Sequence, residues 1–521
     1  MFQSVQEVRD DPEVTEAERA LIDACRAGED CILNDGTLPP EGSTDPAHSV
    51  RAEVIRLLAQ GGTPACGLHE VGVILFGAVI TGTLDLRFAK CRGRLALDNC
   101  RFAAKPQMDQ ARLPELSLQG SHLPGLFAQG ARVTGSVFLR GVTATGTVEV
   151  NSAQIGGQLS CIGATLNGDK GMALNAQGAQ VAGHVFLRRV TATGTVDVNS
   201  AQIGGQLDCD GARLNGDGGK ALNAQGARVE QAFMFRAVAA VSGRVDLSAA
   251  NVGDLSDDAA SWDKCAEIIL DGFTYDRIIG TAAPKSYATR RDWLAKGARV
   301  AGEFSPHPYT QFAKAMRAAG HAAEARRALM ERDRLLFAEA DKADRAAARA
   351  AWHSKARRGN SGRIWLRAFG RRLWSGLSRR VVGYGHRPEY ALFWALAATL
   401  VGMVWYFIAW RAGVMVPNSA VILTSPDWLA AMQAAENAPA LTWVKMPPGQ
   451  HYETFYALPY ALDVFVPLVS LGEDQAWAAS TATWLGWVTR WVGFGFQIMG
   501  WVVTSLGLAA ITGFVQRHAP D

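Results

Sequence analysis

Residues 131–178 read ARVTGSVFLRGVTATGTVEVNSAQIGGQLSCIGATLNGDKGMALNAQG. Residues 179–226 read AQVAGHVFLRRVTATGTVDVNSAQIGGQLDCDGARLNGDGGKALNAQG, and 38 of the 48 aligned positions are identical. A tandem repeat of this kind sets the architecture. One copy is too short to bury its apolar side chains and must stack on its neighbours. Within a copy the apolar residues alternate: Val137-Phe138-Leu139, Val148-Glu149-Val150, then Ile155 and Leu159. That period of two is the strand pattern. Gly135, Gly146 and Gly157 precede the short strands, as do Gly183, Gly194 and Gly205 in the second copy. Glycine tolerates positive φ, so these positions are expected to be the corners. Strands and corners at this spacing predict a β-solenoid.

Weaker copies flank the clear ones. Upstream stand Gly82-Thr83-Leu84-Asp85-Leu86 and Gly93-Arg94-Leu95-Ala96-Leu97; downstream stand Gly243-Arg244-Val245-Asp246-Leu247 and Val252-Gly253-Asp254-Leu255. About four units of 48–53 residues follow, over 72–256. Two coils per unit give roughly eight coils, a rod of about 40 Å at the strand spacing. The recurring Asn151, Asn175, Asn199 and Asn223 read as turn or ladder residues. Asp169, Asp208, Asp210 and Asp217 do not form the GGxGxD pattern of calcium-binding solenoids, so no metal is expected.

The chain of 521 residues has room for several domains, and its net charge of +3 excludes little by itself. All eight cysteines lie in the N-terminal half or just beyond it, the last being Cys265, with no CxxC pair and no Cys/His cluster at zinc spacing. Scattered thiols of this kind fit a reducing cytoplasm. Glu7, Asp10 and Asp11 stand where a signal peptide would carry cations and then an apolar run. Thr15-Glu16-Ala17-Glu18 opens a short helix, and Asp45 or Ser49 is expected to cap another running through Leu58. Residues 1–71 are thus a helical cap over an otherwise open strand edge.

The C-terminal part is built for lipid. Residues 390–410 (YALFWALAATLVGMVWYFIAW) and 491–515 (WVGFGFQIMGWVVTSLGLAAITGFV) carry no charge, and about 20 apolar residues suffice to cross a bilayer. Residues 355–387 hold ten Lys and Arg and no acid, whereas 412–489 hold only Lys445. The cation rule places the basic side in the cytoplasm and 412–489 outside. Residues 388–521 then form a two-helix transmembrane hairpin with an extracytoplasmic loop, both termini being cytoplasmic. Residues 355–387 form a basic amphipathic segment on the anionic inner leaflet, with Arg363, Trp365, Arg367, Phe369, Arg371, Arg372 and Trp374 at the surface. Lipid headgroups rather than nucleic acid are its expected partner.

Gly493, Gln497, Gly500, Thr504 and Gly507 follow one face of the second helix. Small residues there permit close helix packing, or line a pore. Residues 455–471 are apolar but broken by Pro459, Asp463 and Pro467, and are read as re-entrant, interfacial or spanning. Asp463, Glu473 and Asp474 would be pore-loop acids under a channel reading. No potassium-filter motif accompanies them. Residues 257–354 are a helical connector, with a tetratricopeptide-like pair opened by Pro308-Tyr309.

The layout resembles a bacterial family of uncharacterised membrane-associated solenoid proteins, in the style of pentapeptide-repeat and bactofilin-like folds. The segments that carry the resemblance are Val50-Arg51-Ala52-Glu53-Val54-Ile55-Arg56-Leu57-Leu58, Leu270-Asp271-Gly272-Phe273-Thr274-Tyr275-Asp276, the Pro308-Tyr309 pair and Gly383-Tyr384-Gly385. Members of that family are often labelled membrane-associated oxidoreductases. This chain carries no GxGxxG, P-loop, HExxH or redox CxxC, so no cofactor and no catalytic residue is expected.

Three functions are weighed. The first is an integral inner-membrane protein whose cytoplasmic solenoid is an interaction or self-assembly platform, with a protein partner and a homo-oligomeric state. The second is an oligomeric two-helix channel, or a membrane-disrupting effector, gated by the solenoid. The third is an enzyme using Glu149 and Asp197 as paired carboxylates. Their equivalent places in the repeat favour a solvated ladder over a catalytic pair.

Overall fold

The computed structural model describes residues 2–61, 68–353, 358–435 and 438–518. The chain divides into two compact units, Met1–Arg332 and Asp333–Asp521.

The first unit is a β-solenoid of about nine turns. Its strands pair in parallel, each with the equivalent strand one turn on. A middle coil carries four two-residue strands, Arg132–Val133, Val137–Phe138, Thr143–Ala144 and Val148–Glu149. Inward side chains stack into ladders. One runs Val133, Ile155, Val181, Ile203 and Val229; another runs Val137, Leu159, Val185, Leu207 and Phe233. All are buried. Continuous apolar ladders are what a coil too small for its own core must build.

The repeat length has a structural origin. Gln154 pairs with Arg132, Gln180 with Gln154 and Gln202 with Gln180, so a shorter coil alternates with a longer one. One coil of each kind makes one repeat. The longer coil holds its extra residues in strand Thr165–Asn175, where the register slips between Asn167 and Met172. Strand Arg213–Asn223 repeats the slip.

Most of the expected corner glycines have another role. Gly135, Gly157, Gly183 and Gly205 are not among the residues of positive φ, whereas Gly194 is, at +106°. The left-handed positions include Gly130, Gly141, Ser152 and Gly163. Gly157 is needed because a Cβ there would stand 2.3 Å from Ser136 Oγ and 3.0 Å from the Gly135 backbone. Stacking, not a turn, excludes a side chain.

The parallel ladder extends beyond 72–256, to strands Cys31–Ile32 and Ser49–Arg51 at one end and Glu267–Ile269 and Thr274–Ile279 at the other. These end coils lack the glycine pattern that marks the others. Ser49-Val50-Arg51 is therefore a strand paired with Val79-Ile80-Thr81, and the helix starts only at Ala52, without a side-chain cap from Asp45 or Ser49. Helix Glu16–Ala27 has the Thr15/Glu18 capping box. Buried Glu18 also accepts from the backbone N–H and guanidinium of Arg51. At the far end helix His307–Ala318 packs on the last strand, and Gln311 Nε2 donates to the Tyr275 carbonyl.

The same end holds a fully buried ion pair. Arg290 Nη1 and Nη2 donate to Asp257 Oδ2 and Oδ1 at 2.5 and 2.7 Å, and both side chains are 0% exposed. Trp262 Nε1 donates to the same carboxylate at 2.6 Å, while Arg290 Nε donates to the Pro284 carbonyl at 2.8 Å. Both ends of the ladder are thus covered.

In the second unit two helices are long and apolar enough to cross a membrane: Glu389–Arg411 and the Trp484–Thr512 part of Trp484–His518. Only 22% of each apolar window is buried. They run antiparallel. A Cβ added to Gly507 would meet Ala391, one added to Gly402 would meet Phe496, and one added to Gly493 would meet Tyr406. Between them lies the short helix Ala457–Phe465. An aromatic cluster closes one end around the fully buried Trp477. Its ring lies 5.0 Å from Trp410 and 5.5 Å from Tyr452, and its Nε1 donates to the Glu453 carbonyl at 3.1 Å.

Candidate functional site

Two surfaces carry unspent chemistry, one in each unit. On the solenoid, a groove of about 710 Å³ follows one corner across successive coils. Its rim is a register ladder of exposed side chains, Arg132, Gln154, Gln180, Gln202 and Arg228, which runs on past the groove through Arg112 and Lys90. Among the described residues none of these seven side chains makes an ion pair or hydrogen bond within the chain. The floor of the groove is small, with Thr134, Gly156, Ala182 and Gly204 in line. A Cβ at Gly156 would stand 2.1 Å from the Thr134 carbonyl oxygen. Adjacent rungs are about 4.8 Å apart, so the ladder offers one donor group per rung along the axis. The groove escapes a linear reading because its members lie a full coil apart. Aligning the sequence coil by coil, rather than repeat by repeat, brings them together.

Glu149 and Asp197 do not form a carboxylate pair. They are separated by Asn175 on the ladder Glu149, Asn175, Asp197, Asn223, Asp246. Asn223 Nδ2 donates to Asp197 at 3.1 Å, and Lys220 pairs with Asp246 at 2.9 Å. Alternating amide and acid keeps like charges off adjacent rungs.

In the second unit the acids of the apolar loop come together. Asp463, 7% exposed, accepts from the backbone N–H groups of Leu471 (2.6 Å) and Glu473 (2.9 Å). The chain therefore turns back on itself after helix Ala457–Phe465. Glu473 is also buried and accepts from the Tyr456 N–H at 3.5 Å; burial holds its carboxyl above the ordinary range. Asp474 is half-buried. Both oxygens of Asp463 accept from backbone donors, so this carboxylate holds a turn.

The stripe on the second apolar helix divides. A Cβ at Gly500 would stand 1.7 Å from the Phe465 carbonyl oxygen. Gly493 and Gly507 face the first helix, Thr504 is half-buried and Gln497 is exposed. The basic segment is the helix Arg358–Val382. Arg367, Phe369 and Trp374 are exposed. Arg371 pairs with Asp344, and Arg372 with Asp341 at 2.7 Å. The side chains of Arg363 and Trp365 lie outside the described residues.

The seven described cysteines are free and buried, and Cys66 lies outside the described residues. Among the described residues no group of His, Cys, Asp and Glu could hold a metal ion.

No family model, curated protein or solved structure matches the chain. What fold and geometry define is a β-solenoid protein with two membrane-capable helices.

Proposed function

We propose that the chain is a membrane-anchored interaction platform, of the general kind suggested by its resemblance to membrane-associated bactofilin-like solenoids. The two apolar helices form a transmembrane hairpin. The Lys and Arg excess of 355–387 over 412–489 puts the solenoid and both termini in the cytoplasm. The observation that carries this reading is the seven-rung ladder Lys90 to Arg228, whose donors have no internal partner among the described residues. Cations at its ends and amides at its centre suit an extended, acidic protein segment: the arginines take carboxylates and the glutamines take backbone amides. Covered ends weigh against end-to-end stacking of solenoids, so a homo-oligomer would assemble through the membrane helices.

A labelled acidic peptide, hexaglutamate, tests the ladder by fluorescence anisotropy on the full chain in detergent. Binding is expected to weaken with salt and to fall at least tenfold on replacing Arg132 and Arg228 with Ala together. Equal affinity of that variant and the native chain would sink the reading.

A channel is the second reading, favoured by the short helix between the two apolar ones. Planar-bilayer recording of the purified chain decides it: no current at any voltage rejects it.

A further inference from the structure

We infer that the cleft between helix Ala322–His353 and the basic helix Arg358–Val382 is a binding site for the phosphate of an anionic phospholipid headgroup. The inference rests on the membrane placement proposed above. The cleft has a volume of about 290 Å³, and Arg334, Asp341, Arg371, Arg372, Arg379 and Tyr384 line it. Four guanidinium groups thus surround one carboxylate. That carboxylate is engaged: Asp341 accepts from Arg372 Nε and Arg345 Nη2, both at 2.7 Å. With Asp344 holding Arg371, the two acids orient two of the four arginines. One wall is aromatic, with Phe337 stacked on Tyr384 at 5.4 Å and 19° between planes. Ser375 Oγ lies 3.0 Å from the Tyr384 hydroxyl, giving the wall a polar edge. Planar guanidinium forks match pairs of phosphate oxygens, which is why arginine rather than lysine suits such a cleft.

Position selects a lipid as the source of that phosphate. The basic helix ends at Val382, and the first apolar helix begins at Glu389. On the basic helix Leu366, Phe369, Leu373 and Leu377 form a stripe at helical spacing, exposed by 63, 48, 59 and 37%. An exposed apolar stripe flanked by arginines is stable where water meets acyl chains. A lipid whose chains follow the stripe would bring its headgroup to the arginine cleft.

The test uses the full chain in nanodiscs of phosphatidylcholine containing a small fraction of phosphatidylglycerol. Native mass spectrometry counts the anionic lipids kept after detergent extraction. One retained phosphatidylglycerol per chain is expected, with retention falling about fivefold for each of Arg334→Ala and Arg379→Ala. Arg379→Lys keeps the charge without the fork and should retain an intermediate amount. Arg380→Ala removes the same charge from the same helix outside the cleft, and should retain lipid like the native chain. Equal loss in Arg379→Ala and Arg380→Ala would reduce the effect to general surface charge and overturn the site. Displacement of the lipid by millimolar inorganic phosphate would overturn the lipid assignment in favour of a soluble ligand. A chain that fails to partition into membranes would overturn the membrane reading itself. A chain that partitions but keeps no anionic lipid would overturn the cleft alone.

Discussion

The two units solve opposite packing problems with the same residue. In the solenoid, glycine recurs because one coil's backbone rests on the next: Gly157 over Gly135, Gly205 over Gly183. The constraint is repeated at each coil, so the sequence repeats with it. In the second unit each close approach occurs once. Gly500 admits the Phe465 carbonyl, Gly402 admits Phe496, and Gly507 admits Ala391. Their surroundings differ as well. Among the described residues of the first unit only Ile32, Leu38 and Phe88 are large apolar side chains left exposed. In the second unit both apolar helices expose them along their length, Leu392 and Phe393 by 70 and 65% and Ile498 by 67%. A repeated contact spreads the loss from one change over many equivalents, whereas a single contact has no substitute.

Breaking that difference starts at the end of the solenoid, where repetition stops. Asp257→Ala leaves Arg290 buried and unpaired, and should destabilise the first unit by about 3–5 kcal/mol. Ile155→Val, in the middle of a ladder, should cost only about 0.5–1.5 kcal/mol. Urea unfolding followed by tryptophan fluorescence measures both, since Trp262 and Trp293 lie beside the ion pair. Similar losses would remove the distinction between cap and coil.

A second experiment sets one single contact against another. Gly500→Val forces a side chain against the Phe465 carbonyl and should cost about 1–3 kcal/mol. Gly495→Val, on the same helix with nothing within 4 Å of an added Cβ, should be close to neutral. Thermal stability of the chain in one detergent compares them. A neutral Gly500→Val would show that helix Ala457–Phe465 does not seat there.

The smallest expected effect concerns the cysteines. Burial pushes the thiols of Cys25, Cys100, Cys161 and Cys265 up to about 12, and those of Cys31 and Cys91 up to about 11. A raised thiol pKa favours the folded state least at high pH, because the unfolded thiol ionises first. This contribution is full below pH 9 and is lost as pH rises toward 11–12. Iodoacetamide at pH 8 should therefore label these six residues only on unfolding. Fast native labelling of any of them, located by peptide mass spectrometry, would contradict their burial.

The repeat announces the solenoid because alternation and glycine spacing are local, and because two near-identical copies allow one solution. The end coils are not legible in the same way. Ser49-Val50-Arg51 becomes a strand through register with Val79-Ile80-Thr81, not through its own pattern. The stacking glycines read as corners for a related reason: a glycine kept for positive φ and one kept for close stacking look alike in a sequence. The acids are legible as residues but not as an arrangement. Nothing in the spacing of Asp463 and Glu473 indicates that Asp463 binds the Glu473 backbone.

By itself, then, the sequence determined the stacked β architecture and two segments apolar enough for lipid, since hydropathy and periodicity are properties of neighbouring residues. Tertiary structure alone decided three things. Coils of two alternating lengths bring distant cations and amides into one ladder. The Asp463 carboxylate holds a turn. Two helices fold together to gather four arginines around one cleft. Each depends on residues far apart in the chain, and only the folded backbone sets the distances between them.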